Sequence, residues 1–439
     1  MWNIGATLSF VTAGVLIYRL IRSWRQEERE LKSILLDTCN ILRIETRTPD
    51  DVIHRVQVLS VKQTSYGFDV VIRLPMGYAL DKFQEKIPAI EQSCAAARIM
   101  VKHLRGREVL LKLGMKPIRE RMDYDETLIQ PGELSLPYFT PYGVRYLNFG
   151  DESTCHLIVA GATRMGKTVF LRLLFVHLML ATEGKIKFFY INNKLEDYYP
   201  LMGVPQIPQP AETVDDAFEV LREVKLAIEE RKQILRSSRD AVNVKRYNEL
   251  HPENPIPPLF VVFDEYGRFA ESEDLQNMVM EIAETAGYLD VHLIIATQRP
   301  DATTVLKPRI RANILTRVCF QTADEKNSEI VVHSPEAYRL GEIRGRCIVL
   351  DGTPMLAQIP YISEDRAMEL LQPFRSDEDE TVSQRQENPG VSSSLPSFVT
   401  GPVGSASLSR SLQAVGHNQS DYETPRPRRV RHNRSKTKT

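Results

Sequence analysis

The stretch Gly161-Ala162-Thr163-Arg164-Met165-Gly166-Lys167-Thr168 puts two glycines, a lysine and a hydroxyl at the spacing GxxxxGK[ST]. A loop that wraps a polyphosphate needs glycine where a side chain would keep the backbone away. Its N–H groups, and the helix that follows, offer partial positive charge to an anion. Residues 161–168 are therefore the candidate phosphate cradle. Lys167 would reach the β- and γ-phosphates, and the Thr168 hydroxyl would ligate Mg²⁺.

Further along, "PLFVVFDEYGRFA" runs a short apolar stretch into Asp264 and Glu265. A buried strand ending in paired carboxylates suits the same chemistry, Asp264 holding the metal and Glu265 acting as general base on the attacking water. Taken alone, two acids at a solvated strand end are commonplace; with the cradle upstream they read as catalytic. In "VHLIIATQRP", Gln298 ends another apolar run, where it would sense the γ-phosphate or the water, or simply form a buried polar pair with Arg299. These residues describe an ATPase using ATP and Mg²⁺. Their spacing does not choose among kinase, transporter, helicase and translocase.

Such a site needs elements to hold it. From about 145 to 372, short apolar runs alternate with longer helical patterns: "HLIVAG", "KIKFFYIN", "PLFVVFDE", "VHLIIATQ", "RVCFQT" and "RCIVLD". Near-continuous apolar runs suit strands covered on both faces, the parallel sheet of an α/β fold. Val214, Phe218, Leu221, Val224 and Ile228 recur at helical spacing in one connection. Before this, residues 49–144 read as a small α/β domain. "GFDVVIRLPMG" and "REVLLKL" are its strands, a helical stretch reaches about Leu104, and the Pro-rich "LPYFTPYG" forms a connector.

The N-terminal segment Ile4–Ile21 is apolar except for Arg19. At helical rise it spans roughly 27 Å, close to a hydrocarbon core. Basic residues follow it and none precedes it, so residues 1–22 read as a membrane anchor with the remainder cytoplasmic. A buried or partner-binding helix is the other reading. Residues 23–48 continue as a charged helix with Leu31, Ile34, Leu35 and Thr38 on one stripe. The stripe fits a stalk, a seam between subunits, or packing on its own domain. Residues 373–439 are rich in Ser, Pro and Gly and end in "PRPRRVRHNRSKTKT", which predicts a disordered tail. Its basic end suits DNA phosphates, an anionic membrane or plain solubility.

The 439 residues carry a net charge of -1, which excludes a chain that holds nucleic acid by bulk charge. Five scattered cysteines without a CxxC pair speak against a zinc or disulfide framework.

The order of the motifs "HLIVAGATRMGKT", "FYINNK", "LFVVFDEYGRFA", "ATQRPDATTVLKPRIRANILTRV" and "GRCIVLDGT" resembles the motor domain of the FtsK/SpoIIIE family. The resemblance covers roughly residues 150–355. It implies a RecA-like ATPase that forms a homo-hexameric ring on DNA without sequence preference, with an arginine from the neighbouring subunit completing each site; Arg311 and Arg317 are the candidates, or else structural or DNA-facing groups. Where that family has Asp-Pro-Lys, this chain has Asn192-Asn193-Lys194. One candidate membrane helix and one module make the architecture most similar to the coupling proteins of Gram-positive conjugative elements, which implies a relaxase and transfer-channel proteins as partners. Chromosome segregation, a protein-export motor and a non-enzymatic docking platform are the alternatives.

Overall fold

The computed structural model describes residues 26–151, 154–238, 240–301 and 305–376. The candidate membrane segment and, from residue 377 on, the Ser/Pro-rich tail lie outside these residues; the first four tail residues, 373–376, are described, and there the expected disorder fails, because Phe374 packs against the core beside helix Lys167–Ala181. Among the described residues, no helix is long and apolar enough to cross a membrane.

Residues 26–41 are helical, and the stripe read from the sequence turns inward. Leu31, Leu35 and Cys39 are buried in one core with Val70, Ile72 and Leu111. Thr38 is buried beside them, while Ile34 stays exposed. The charged stalk is thus corrected: this helix is part of the small domain, because its i, i+4, i+8 face finds an apolar sheet to cover. After it come the ribbon β1 (Glu45–Arg47) and β2 (Ile53–Arg55), and then the antiparallel strands β3 (Gln57–Thr64), β4 (Gly67–Arg73), β5 (Arg98–His103) and β6 (Glu108–Gly114), in the order β3-β4-β6-β5. β4 buries Phe68, Val70 and Ile72 and turns the alternate residues outward, as its pattern predicts.

Two expectations fail here. The helical stretch to Leu104 ends at Ser93, and residues 98–103 form β5, paired along its length with β6. The "LPYFTPYG" connector is a hairpin of β7 (Ser135–Thr140) and β8 (Gly143–Asn148). Pro137 has no N–H to give; β7 tolerates it because its far side meets the next strand only at the Phe139–Gln358 pair.

β9 (Leu157–Ala160), β10 (Lys187–Ile191), β11 (Leu259–Phe263), β12 (Val291–Thr297) and β13 (Thr316–Phe320) are parallel. β14 (Arg346–Asp351) and β15 (Thr353–Gln358) extend the sheet antiparallel. The full order is β10-β11-β12-β9-β13-β14-β15-β7-β8. Along β9, Leu157 and Val159 face one core and Ile158 and Ala160 the other. This two-sided burial explains the unbroken apolar runs. Helix Lys167–Ala181 covers one face with Phe170, Leu174 and Leu178. Helices Val214–Ser237 and Glu273–Thr285 cover the other with Leu221, Val224, Leu275 and Val279. Thr213 and Asp216 close a capping box that starts the longer of these two. All five cysteines are buried, and none is in a disulfide.

Leu35 is fully buried, so Leu35→Ala is expected to cost about 2–4 kcal/mol. Chemical denaturation checks this; an unchanged midpoint would remove the helix from the small domain's core.

Candidate active site

β9 ends at Ala160 and the chain enters the loop at Gly161, whose φ is +154°. A Cβ there would sit 2.6 Å from the Cβ of Phe320 on β13. Gly166, at φ +127°, would meet the Gly345 backbone at 3.1 Å. Both positions therefore exclude side chains twice over, by dihedral and by space. The Gly345 N–H donates to Met165 O at 2.8 Å and the Ala162 N–H to Gln321 O at 2.7 Å, which fixes the loop against the neighbouring strands. Helix Lys167–Ala181 starts directly after, with its N-terminus at the loop.

Lys167 is buried, and its Nζ donates to the carbonyls of Gly161 (2.6 Å) and Ala162 (3.3 Å). Burial pushes its pKa down to about 8, against the opposing pull of Glu265 and Asp264. The sheet order explains that proximity. β12 lies between β9 and β11, so the carboxyl ends of these three strands converge on one edge. Asp264 follows β11, and its N–H is held by Ile191 O at 2.9 Å. Its carboxyl is buried and pushed up to about 6, by desolvation first, then by Asp197. Gln298 follows β12; its Oε1 accepts from the Thr163 hydroxyl at 2.6 Å, and its N–H donates to Glu265 Oε1 at 3.4 Å. Gln298 is thus the hinge between loop and acids.

Glu265 takes the left-handed conformation, φ +58° and ψ +51°, which is uncommon for a residue with a Cβ. Its Oε2 is buried without a hydrogen-bond partner. An unpartnered carboxylate oxygen in a dry site is costly and points to a ligand or water it is meant to meet. With the two glycines that admit no Cβ, the site fits a metal–triphosphate. Thr168 and Asp264 both line the cleft and are hard oxygen donors of the kind Mg²⁺ takes alongside phosphate. Mg²⁺ would supply charge neutralisation at the reacting phosphate. The chain's own contribution is the Lys167 ammonium and a Glu265 oxygen able to accept a proton from water.

Sequence reasoning assigned no site role to the turn after β10. Asn192 is buried, and its amide donates to Tyr190 OH (2.7 Å) and Lys194 O (3.2 Å) while accepting from the Lys194 N–H (3.0 Å). An ionised Asp could accept but not donate, so the amide closes this turn in a way the carboxylate cannot. The turn delivers Lys194 and Asp197 to the cleft. Asp197 is raised by desolvation, and Lys194 opposes that rise. The cleft measures about 970 Å³ and is lined by six acidic and six basic side chains.

The two candidate arginine fingers sit elsewhere. Arg317 is buried near the start of β13 and serves its own chain, donating to Ile314 O, Val331 O and Arg311 O. That placement removes it from the reach of a neighbour. Arg311 is half-buried and donates to Leu306 O and Ile330 O.

The raised Asp264 carboxyl has a consequence for stability. Its ionised form is disfavoured in the fold, so the penalty is present above pH 6 and fades as the pH falls and the group takes up a proton. Asp264→Asn should therefore raise the melting temperature of the nucleotide-free protein at pH 7.5, by about 2–4 °C per kcal/mol relieved, and less at pH 5. Melting curves at the two pH values check this; an equal or reversed difference would contradict the assigned environment.

Residues 130–343 match the model of the FtsK/SpoIIIE family. The DNA translocase FtsK of Bacillus cereus is 28% identical over 233 residues, covering 49% of this chain and 29% of that protein. The DNA translocase SftA of Bacillus subtilis is 28% identical over 244 residues, 53% of this chain and 25% of that one. The match spans under a third of these curated relatives. Among solved structures, the pCW3 conjugation coupling protein TcpA, a monomer with ATPγS, aligns at TM-score 0.55 and 20% identity, over 78% of this chain and 99% of that one. The Type VII secretion ATPase EccC of Thermomonospora curvata aligns at 0.50 and 18%, over 58% and 33%. At these identities the structures establish the fold. The glycine cradle with Lys167, the acids after β11 and Gln298 between them lie within residues 130–343, the segment that matches the FtsK/SpoIIIE family model.

Proposed function

We propose that this chain is an ATP-driven DNA translocase that serves conjugative transfer. Residues 4–21 anchor it in a membrane, the bulk of the chain lies on the cytoplasmic side, and a ring of copies, six in the reading adopted here, passes DNA bearing a relaxase to a transfer channel.

One observation carries the choice among motors: among the described residues, one ATPase module follows a small α/β domain. The coupling-protein structure is accounted for over 99% of its length by this arrangement, whereas the secretion ATPase EccC is matched over 33% of its own. The likeness to EccC and to EssC, at TM-score 0.51, favours protein export as the second reading. Sequence similarity to FtsK keeps chromosome segregation within the first class. In the proposed cycle Lys167 leaves the loop carbonyls for the phosphates and Glu265 draws the proton from water, while Asp264 and Thr168 would hold Mg²⁺. Gln298 joins loop to acids and reports the state of the γ-phosphate. Arg311, from its half-buried position, is the remaining candidate to complete the neighbour's site.

ATP turnover by the full chain should rise several-fold with single- or double-stranded DNA, and DNA binding should weaken steeply with salt. No response to either DNA would favour export or docking. Glu265→Gln should bind ATP and lose turnover by at least about 100-fold; unchanged turnover would strip Glu265 of its role.

A further inference from the structure

The cleft extends beyond the phosphate loop, and part of its lining comes from outside the motor. Glu120 and Arg121, in the segment on the way from β6 of the small domain to β7, supply it. This segment is bound to the motor by its backbone. Arg346, buried at the start of β14, donates from Nη2 to Ile118 O (3.0 Å) and Arg119 O (3.1 Å). The Tyr361 N–H donates to Met122 O at 2.7 Å, and the Tyr124 N–H to Tyr361 O at 2.9 Å. Between these anchors the Arg121 guanidinium lies over the Tyr361 ring, 4.0 Å from its centroid. Its Nε donates to Asp123 Oδ1 at 2.8 Å, which sets the plane. The Arg121 side chain is 65% exposed, so one face packs on tyrosine and the other stays open; both residues line the same cleft as Lys167 and Thr168.

A planar cation stacked on an aromatic ring with its second face free is a platform for another flat ring. The geometry points to a base-binding subsite, in which the nucleobase of the bound nucleotide stacks on the free face of Arg121 while its triphosphate lies in the glycine loop. Ile343, just before β14, and Ile359, just after β15, line the same cleft and supply apolar surface of the kind a base requires. This inference rests on reading residues 161–168 as the phosphate cradle. It adds that the strap from the small domain is part of the nucleotide site. Gly345 makes the link physical: its N–H holds Met165 O in the loop, and its carbonyl accepts from the Ile359 N–H at 2.9 Å, two residues before Tyr361.

The test compares a ligand that has a base with one that has none. Calorimetric titration of the full chain with Mg–ATP and with Mg–tripolyphosphate, for wild type and Arg121→Ala, should show ATP weakened about tenfold. Tripolyphosphate should change by less than about twofold. Arg121 is solvent-exposed, so its loss leaves the fold intact, and Arg121→Lys supplies the control, since it keeps the charge without the flat face. The lysine variant should lose ATP affinity as the alanine variant does. Equal weakening of both ligands, no weakening of either, or full rescue by lysine would overturn the subsite and leave the phosphate cradle standing. A wild-type chain that binds neither ligand would overturn the cradle and the subsite together.

Discussion

The constraint on which the site depends is a buried ammonium that must share a dry space with two carboxylates. Lys167 is removed from water and held by two peptide carbonyls, and its charge is kept affordable by Asp264 and Glu265 across the sheet edge. Neither Lys167 nor Asp264 is comfortable alone: burial pushes the lysine down and the aspartate up. A polyanion beside Lys167 and a cation beside Asp264 would oppose both shifts, which is what a bound metal–triphosphate would bring. The rest of the motor answers to that need. The sheet order brings three strand ends to one edge, two glycines let the loop come close, and both faces of the sheet are sealed by apolar side chains.

Rigidity around this centre comes from backbone ties rather than from surface ion pairs. The loop is tied to the end of β13 through Gln321 and to the start of β14 through Gly345, and Gln298 ties it to Glu265. Most of the ion pairs elsewhere are exposed and contribute little. Arg346 is the exception in kind: it is buried, bonds Gln358 through its Nε at 2.9 Å, and uses the rest of its fork on carbonyls of the interdomain strap.

Much of the motor was legible in the sequence, for a physical reason. Strands covered on both faces have to be apolar throughout, so β9 to β14 announce themselves as runs. The loop and the acids follow at strand ends, where chemistry is usually placed in α/β sheets. What escaped were elements that owe their state to distant partners. β5 reads as a continuing helix until β6 is there to pair with it. The β7–β8 hairpin reads as a Pro-rich connector until β15 accepts its edge. The stripe at Leu31 and Leu35 has helical period in any context, and period alone does not name the surface it covers. Arg317 looked available because sequence reveals its type but not the three carbonyls that occupy it. Lys194 and Asp197 were visible as residues, yet only the Asn192 turn shows that they point into the cleft.

The equal number of acids and bases along the cleft wall shapes how fuel arrives. A mouth with balanced charge exerts little pull on a polyanion at a distance, so capture depends on contacts made after entry, among them the loop amides and the metal. Nucleic acid gripped by its phosphates obeys a different law, one dominated by the release of condensed ions. On the proposed function, ionic strength would then act as a selective brake, loosening the hold on DNA more than the uptake of nucleotide.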